Sequence, residues 1–406
     1  MTKFGEIYFN SGQAGVAIFI FLQMIFTTFV VTKIVLTVYK YSKNIYLYII
    51  SVMFYCALIF YQIMVVSVAQ DVLFSAFFAL TFMRLIELAI APEEWIKKKS
   101  NYFLLPLDIF IMCLFRNNGL YAIIFIFPFI LLFKKKEKII ITLCVIIPII
   151  LYKIITGPLY DNLGVKKNND GIKEASSIPC QQFARAYTYN RQSFSQEDIS
   201  DMKKYYLNIS KLEYYKVRPC ISDPQKNQLN KDNVKNDLKG YLKLYFRVGM
   251  KNKKEFINAF LLNNLGLWFP NKTYPDERMF HPLIEYNMTI VNEKINSEYL
   301  RIDRNSKFPI YERLLNKLVN KNKWQKIPIY STICTLGFYF ILTIYCLIMI
   351  TYRKNWKLFV PMSIIIGLYI TIFLAPVSLF RYCFPIIICT PLLFEILIDK
   401  NFLLKK

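Results

Sequence analysis

Apolar residues in this chain gather in runs closed by charged or turn residues, each close to the roughly 20 residues that a helix needs to cross hydrocarbon. Nine such runs fall near 12–37, 46–69, 71–92, 101–115, 119–133, 138–156, 327–351, 356–377 and 382–398. They predict an all-α membrane protein with about nine transmembrane helices. The fourth and fifth runs are short and separated only by Arg116-Asn117-Asn118-Gly119, so they read either as two helices or as one re-entrant hairpin. A long polar stretch parts the sixth run from the seventh. The pattern thus divides the chain into 1–156, a bundle of about six spans, 157–326, a mainly helical extramembrane domain, and 327–406, a bundle of about three spans. Within the middle segment, helical patterning recurs near 195–216, where Ser195 and Asp198 are spaced as a capping box, and near 232–249 and 251–266. An amphipathic piece near 308–322, with Ile310, Leu314, Leu315 and Leu318 on one face, is predicted to lie on the membrane surface.

Charge then orients the pattern. With the N-terminus outside, the inner loops hold Lys40 and Lys43, Lys97 to Lys99, Lys134 to Lys136 with Lys138, Arg353 with Lys354 and Lys357, and Lys400, Lys405 and Lys406. The opposite turns hold almost no cations apart from Arg116 and Arg381. The rule that short cytoplasmic loops are rich in Lys and Arg places the N-terminus and 157–326 outside and the C-terminus in the cytoplasm of an integral cell-membrane protein. The net charge of +24 over 406 residues would suit nucleic acid, but these cations interleave with apolar runs instead of lining one soluble module, which excludes that class. A single His and nine scattered Cys argue against a zinc site or a histidine triad. Cys180 and Cys220 are the two cysteines of 157–326, and an oxidising exterior favours a disulfide between them.

Ionisable groups at or within a bilayer are costly and tend to be functional. Asp71 begins the third run with no cation beside it in sequence. It reads either as a helix N-cap or as a working carboxylate. Arg116, flanked by Asn117, Asn118 and a glycine, suits phosphate or sugar hydroxyls, or is a snorkelling residue of a polar turn. Arg381 at another outer boundary offers the same two readings. Deeper in the bundle, Arg84 and Glu87 are spaced to pair along one helix face, and Asp108 stands alone. His281 reads as a packed or surface residue.

These motifs together resemble a known family. Gln70-Asp71-Val72-Leu73-Phe74-Ser75, Leu114-Phe115-Arg116-Asn117-Asn118-Gly119-Leu120-Tyr121, Ile178-Pro179-Cys180-Gln181-Gln182-Phe183-Ala184-Arg185, Ile221-Ser222-Asp223-Pro224, Leu267-Trp268-Phe269-Pro270 and Phe380-Arg381-Tyr382-Cys383-Phe384-Pro385 occur in the order seen in an uncharacterised bacterial membrane family related to GT-C-type glycosyltransferases. The resemblance implies transfer of a sugar from a polyprenyl-phosphate donor to an envelope glycan, lipid or protein acceptor at the outer membrane face. It implies that Asp71 is a catalytic carboxylate, or helps to hold a divalent cation such as Mg or Mn. Arg116, Asn117, Asn118, Arg381 and Arg185 would bind the donor phosphate or sugar. The chain departs from the pattern at Gln70, where Lys is expected, and no counterpart of the family's first span and first outer loop precedes Met1 to Asn10. It therefore reads as a truncated or inactive relative. The competing classes are a lipid or polysaccharide transporter and a non-catalytic membrane assembly subunit. The transporter class would favour broken spans and an internal repeat.

Overall fold

The computed structural model describes residues 2–10, 12–165, 171–217, 219–270, 308–315, 317–318 and 323–398. Every apolar run is helical, and no strand forms among the described residues. Among those residues, five helices are long and apolar enough to cross a membrane: Ala14–Ser42, Gln70–Ile90, Lys135–Asn162, Trp356–Phe373 and Phe380–Ile398. The helices Ile45–Ala57 and Ile59–Val65 would make a sixth span, broken by a 66° bend, and Asn101–Phe115, Asn117–Ile130 and Leu336–Tyr352 are shorter apolar helices. The chain divides into two compact units. One comprises Met1–Ile155, Pro270–Leu368 and Phe380–Lys406, and the other Thr156–Phe269 with Tyr369–Leu379.

In the first unit the helices differ sharply in burial. Gln70–Ile90 is 78% and Phe380–Ile398 72% buried over its apolar window, against 22% for Ala14–Ser42 and 28% for Lys135–Asn162. A helix apolar all round can be surrounded by protein or by lipid, so packing and not composition sets these differences. Gln70–Ile90 packs against Ala14–Ser42, Asn101–Phe115 and Phe380–Ile398 and forms the centre of the unit. The exposed apolar faces of the peripheral helices, with Phe21, Leu22, Ile25 and Phe29 on one and Leu143, Ile147 and Ile150 on another, suit lipid.

The run at 46–69 is not one straight helix. Leu58 is extended, and the freed N–H of Ile59 donates to the Tyr330 hydroxyl at 3.1 Å. At the far end the Gln23 amide donates to the carbonyls of Val65, at 2.8 Å, and Ser67, at 2.9 Å. Side chains from other helices thus satisfy a backbone group at the break and others at the end of the second helix, as apolar surroundings require.

The pairing expected between Arg84 and Glu87 is replaced by one across helices. Arg84 Nε lies 2.5 Å from Asp108 Oδ2, and both residues are buried. A pair along one helix would have left Asp108 a buried charge without a cation, which is the costlier arrangement.

The second unit is built round Phe183 of the Ser177–Tyr189 helix, which meets Tyr206, Tyr245 and Phe256 edge-on at ring distances of 5.7 to 6.1 Å. The capping box at Ser195 and Asp198 forms, with Ser195 N–H donating to Asp198 Oδ2 at 2.9 Å and Asp198 N–H to Ser195 Oγ at 3.2 Å. Helices Leu238–Lys251 and Lys253–Asn263 follow. The segment Tyr369–Leu379 is stitched in by polar side chains. Asn263 and Asn264 donate to the carbonyls of Ala375 and Phe373, and Ser222 donates through backbone and hydroxyl to Pro376.

The disulfide expected between Cys180 and Cys220 is absent. Cys180 is a buried thiol that accepts a hydrogen bond from the Tyr206 hydroxyl at 3.7 Å, and burial pushes its pKa up to about 12. Part of the amphipathic piece at 308–322 and all of the region around His281 lie outside the described residues.

Candidate functional site

The site begins at the entry of the most buried helix. Ala69 is extended and occupies the cap position of Gln70–Ile90 without offering a side chain. Asp71, 3% exposed, therefore sits inside the first turn and is not the cap. Its carboxylate forms an ion pair with Arg116 Nη1. The helix N-terminus adds a favourable field for that charge, and the Ser75 hydroxyl donates to the Asp71 carbonyl at 2.6 Å.

Arg116 reaches Asp71 because the chain breaks helix at that residue. It is extended between Asn101–Phe115 and Asn117–Ile124, and its carbonyl accepts the N–H of Gly119 at 3.0 Å. Gly119 is tightly packed at this turn. A Cβ there would approach Met112 Cγ to 3.1 Å and Phe74 Cε2 to 3.2 Å, side chains of the helices that lead into Arg116 and carry Asp71. Asn117 accepts a hydrogen bond from the Tyr152 hydroxyl at 2.5 Å, and Asn118 is half-buried beside it.

Arg381 enters from a third helix, at the second position of Phe380–Ile398. Its Cζ lies 5.2 Å from the ring centre of Tyr382, and Arg116 Cζ lies 5.1 Å from the same ring. One aromatic ring thus serves two guanidinium groups, each gaining from the ring quadrupole. Asp71 lies within electrostatic reach of both arginines. Arg381 Nε is buried and has no hydrogen-bond partner among the described residues.

The charge count is two guanidinium groups to one carboxylate. A partly buried cation with one buried, unmet donor is costly unless something anionic completes it, and guanidinium forks match phosphate oxygens. The arrangement suits an anion. It does not fit a divalent cation held by Asp71, because that carboxylate is engaged by Arg116 and a second positive charge stands nearby. Among the described residues no group of three His, Cys, Asp or Glu could hold a metal ion.

Of the residues the sequence singled out, Asp71, Arg116 and Arg381 act on one another, and Asn117 and Asn118 continue the turn that bears Arg116. Arg185 lies in the second unit. Its Nε is 2.7 Å from Glu255 Oε2 and its guanidinium covers the rings of Tyr189 and Tyr215 at 4.8 and 5.8 Å. The whole Ile178–Arg185 stretch acts as a hub there, with the Gln181 amide donating to Asn263 and the Gln182 amide to the Phe256 carbonyl. Sequence reasoning missed Tyr382 and Tyr152. The adjacency of Tyr382 to Arg381 was a usable signal, whereas nothing in the sequence pointed to Tyr152.

No curated protein of assigned role and no solved structure matches the chain significantly. Its residues 1–400 match DUF6020, described as a family of unknown function, and the chain belongs to that family.

Proposed function

We propose that this chain is a membrane glycosyltransferase of GT-C type, moving a sugar from a polyprenyl-phosphate donor to an acceptor at the outer face of the membrane. The observation that carries the reading is Arg381: a buried, unpartnered guanidinium nitrogen beside an Asp71–Arg116 pair. In such a transfer the acceptor oxygen attacks the anomeric carbon, the bond from that carbon to the phosphate oxygen breaks, and the carrier phosphate leaves with the electron pair. Arg116 and Arg381 would meet the charge that grows on the phosphate, stabilising the transition state more than the bound donor. Asp71, released as Arg116 turns to the phosphate, would take the acceptor's proton.

The loop charges support an orientation with this end of the Gln70–Ile90 helix outside. Nine spans would follow if the broken pair and the three shorter apolar helices also cross. Single-cysteine labelling at position 116 should succeed from outside intact cells, and labelling from the cytoplasm alone would overturn both the orientation and the reaction face. For the activity, purified protein in lipid should consume a polyprenyl-phosphate sugar in the presence of acceptor extracts, and Asp71→Asn should abolish consumption. Donor that binds without turnover would favour the non-catalytic assembly subunit. The break at Leu58 is the one observation that favours a transporter. Uptake of intact glycolipid into vesicles without cleavage of the phosphate bond would decide for that reading.

A further inference from the structure

The Leu238–Lys251 helix of the second unit carries three kinds of side chain on three sectors. Tyr241, Leu244 and Val248 face the core of the unit. Leu238, Leu242, Phe246 and Met250, four residues apart, make a second apolar row, and this one is open to solvent, with Phe246 63% and Met250 65% exposed. Beside it Lys239, Lys243, Arg247 and Lys251 repeat at the same spacing. Arg247 and Lys251 are turned onto Asp198. Lys239 and Lys243 are exposed, and neither pairs with an acidic side chain among the described residues. On the next helix Ile257 and Leu261 are exposed as well, with Lys253 and Lys254 at its start.

An apolar row flanked by unpaired lysines matches a partner that is apolar at one depth and anionic at the next. The interface of a bilayer has that layering, with acyl chains below phosphate groups. A groove in another protein would supply the apolar part but would need acidic groups set opposite Lys239 and Lys243, whereas a bilayer presents phosphates all along the row. Connectivity points the same way. Thr156, where the unit begins, lies within the candidate span Lys135–Asn162, and Tyr369–Leu379 links the candidate spans Trp356–Phe373 and Phe380–Ile398. The unit is tethered to membrane-length helices, so a bilayer is offered to it at high effective concentration.

We infer that the Leu238–Lys251 helix docks on an anionic phospholipid surface. Leu242, Phe246 and Met250 enter the boundary between headgroups and acyl chains, and Lys239 and Lys243 sit at the level of the lipid phosphates.

The test uses the full chain in lipid nanodiscs of phosphatidylcholine with or without phosphatidylglycerol. An environment-sensitive fluorophore is placed by Phe246→Cys, or by Met250→Cys where the first variant folds poorly, in a Cys56→Ser background. Cys56 is the exposed native cysteine and the other eight are buried. Quenching by nitroxide-labelled lipid, stronger with phosphatidylglycerol, is the expected result. Because a lysine at such a surface contributes about fivefold, the Lys239→Glu and Lys243→Glu double variant should shift the docking equilibrium by at least about 25-fold. Unchanged quenching in that variant overturns the assignment to anionic lipid. A label reached by aqueous iodide and not by the lipid nitroxide overturns docking. A label shielded from both quenchers also overturns it, since a protein surface then covers the row.

Discussion

Asp71 and Asp198 are both buried carboxylates that answer to two cations, and they end in opposite states. Asp198 accepts Arg247 Nε at 2.7 Å, Lys251 Nζ at 2.7 Å and the Ser195 N–H at 2.9 Å. The remaining nitrogens of Arg247 are met by Glu197 at 2.6 Å and Asp201 at 2.5 Å. That network is closed, and it holds Gln196–Tyr205 against Leu238–Lys251. Around Asp71 one guanidinium is paired and the second keeps a buried nitrogen without a partner among the described residues. A closed network gains nothing from a ligand, whereas an open one is completed by an anion. The difference separates a structural ion cluster from a candidate binding site even though both contain the same residue types.

Substitutions on each side test this contrast. The largest effect is expected from Asp71→Asn, which removes a buried carboxylate and leaves the partly buried Arg116 and Arg381 without a counter-charge. It should cost on the order of 3–5 kcal/mol, read as a lowered midpoint of thermal unfolding in detergent. Adding Arg116→Gln to that variant should recover most of the loss, and no recovery would show that the two side chains are not coupled. Arg381→Gln should lower the unfolding midpoint by no more than its small ring contact with Tyr382 contributes, because its Nε gives up no hydrogen-bond partner, while donor turnover falls about 100-fold. A large stability loss with unchanged turnover would make Arg381 structural and erase the difference from Arg247.

Asp198 provides the pH test. Burial alone would raise its pKa, but hydrogen bonds from Lys251, Ser195 and Arg247 outweigh it and hold the carboxyl down at about 2. The folded value lies below the ordinary one of about 3.9. The stabilisation is therefore fully present above about pH 4 and is lost as pH falls through about 2. Asp198→Asn should flatten the acid limb of the unfolding curve. At neutral pH it should cost about 2 kcal/mol or less, because Arg247 and Lys251 reach solvent and the pair is screened. The smallest effect should come from Tyr382→Leu. Losing the ring shared by Arg116 and Arg381 should cost about 1 kcal/mol in the unfolding midpoint. Donor affinity, measured by titration, should weaken by a similarly small amount.

Much of the local structure was legible in the sequence. Each of the nine apolar runs is helical, the helices near 232–266 lie close to their expected limits, and the Ser195–Asp198 box forms as its spacing indicated. The break at Leu58 was not legible, because no Gly or Pro marks it and the group that meets its freed N–H, Tyr330, lies far along the chain. The joining of Tyr369–Leu379 to the second unit was hidden for a similar reason. The pattern there is apolar and reads as the end of a span, while the asparagines and serine that capture its carbonyls belong to distant segments. Arg84 shows the limit of spacing rules: Glu87 was near in sequence, but burial made Asp108 the partner.

Where helices form, that several stretches are apolar enough for a membrane, and that Asp71, Arg116 and Arg381 are unusual charges could all be read from the order of residues alone. These follow from local periodicity and local charge, which neighbouring residues carry between them. Three-dimensional packing was needed to bring those three charges round Tyr382, to leave one arginine with an unmet donor, and to engage Arg185 with Glu255. Partnership among residues hundreds of positions apart depends on which helix faces pack together, and one-dimensional hydropathy does not encode that choice.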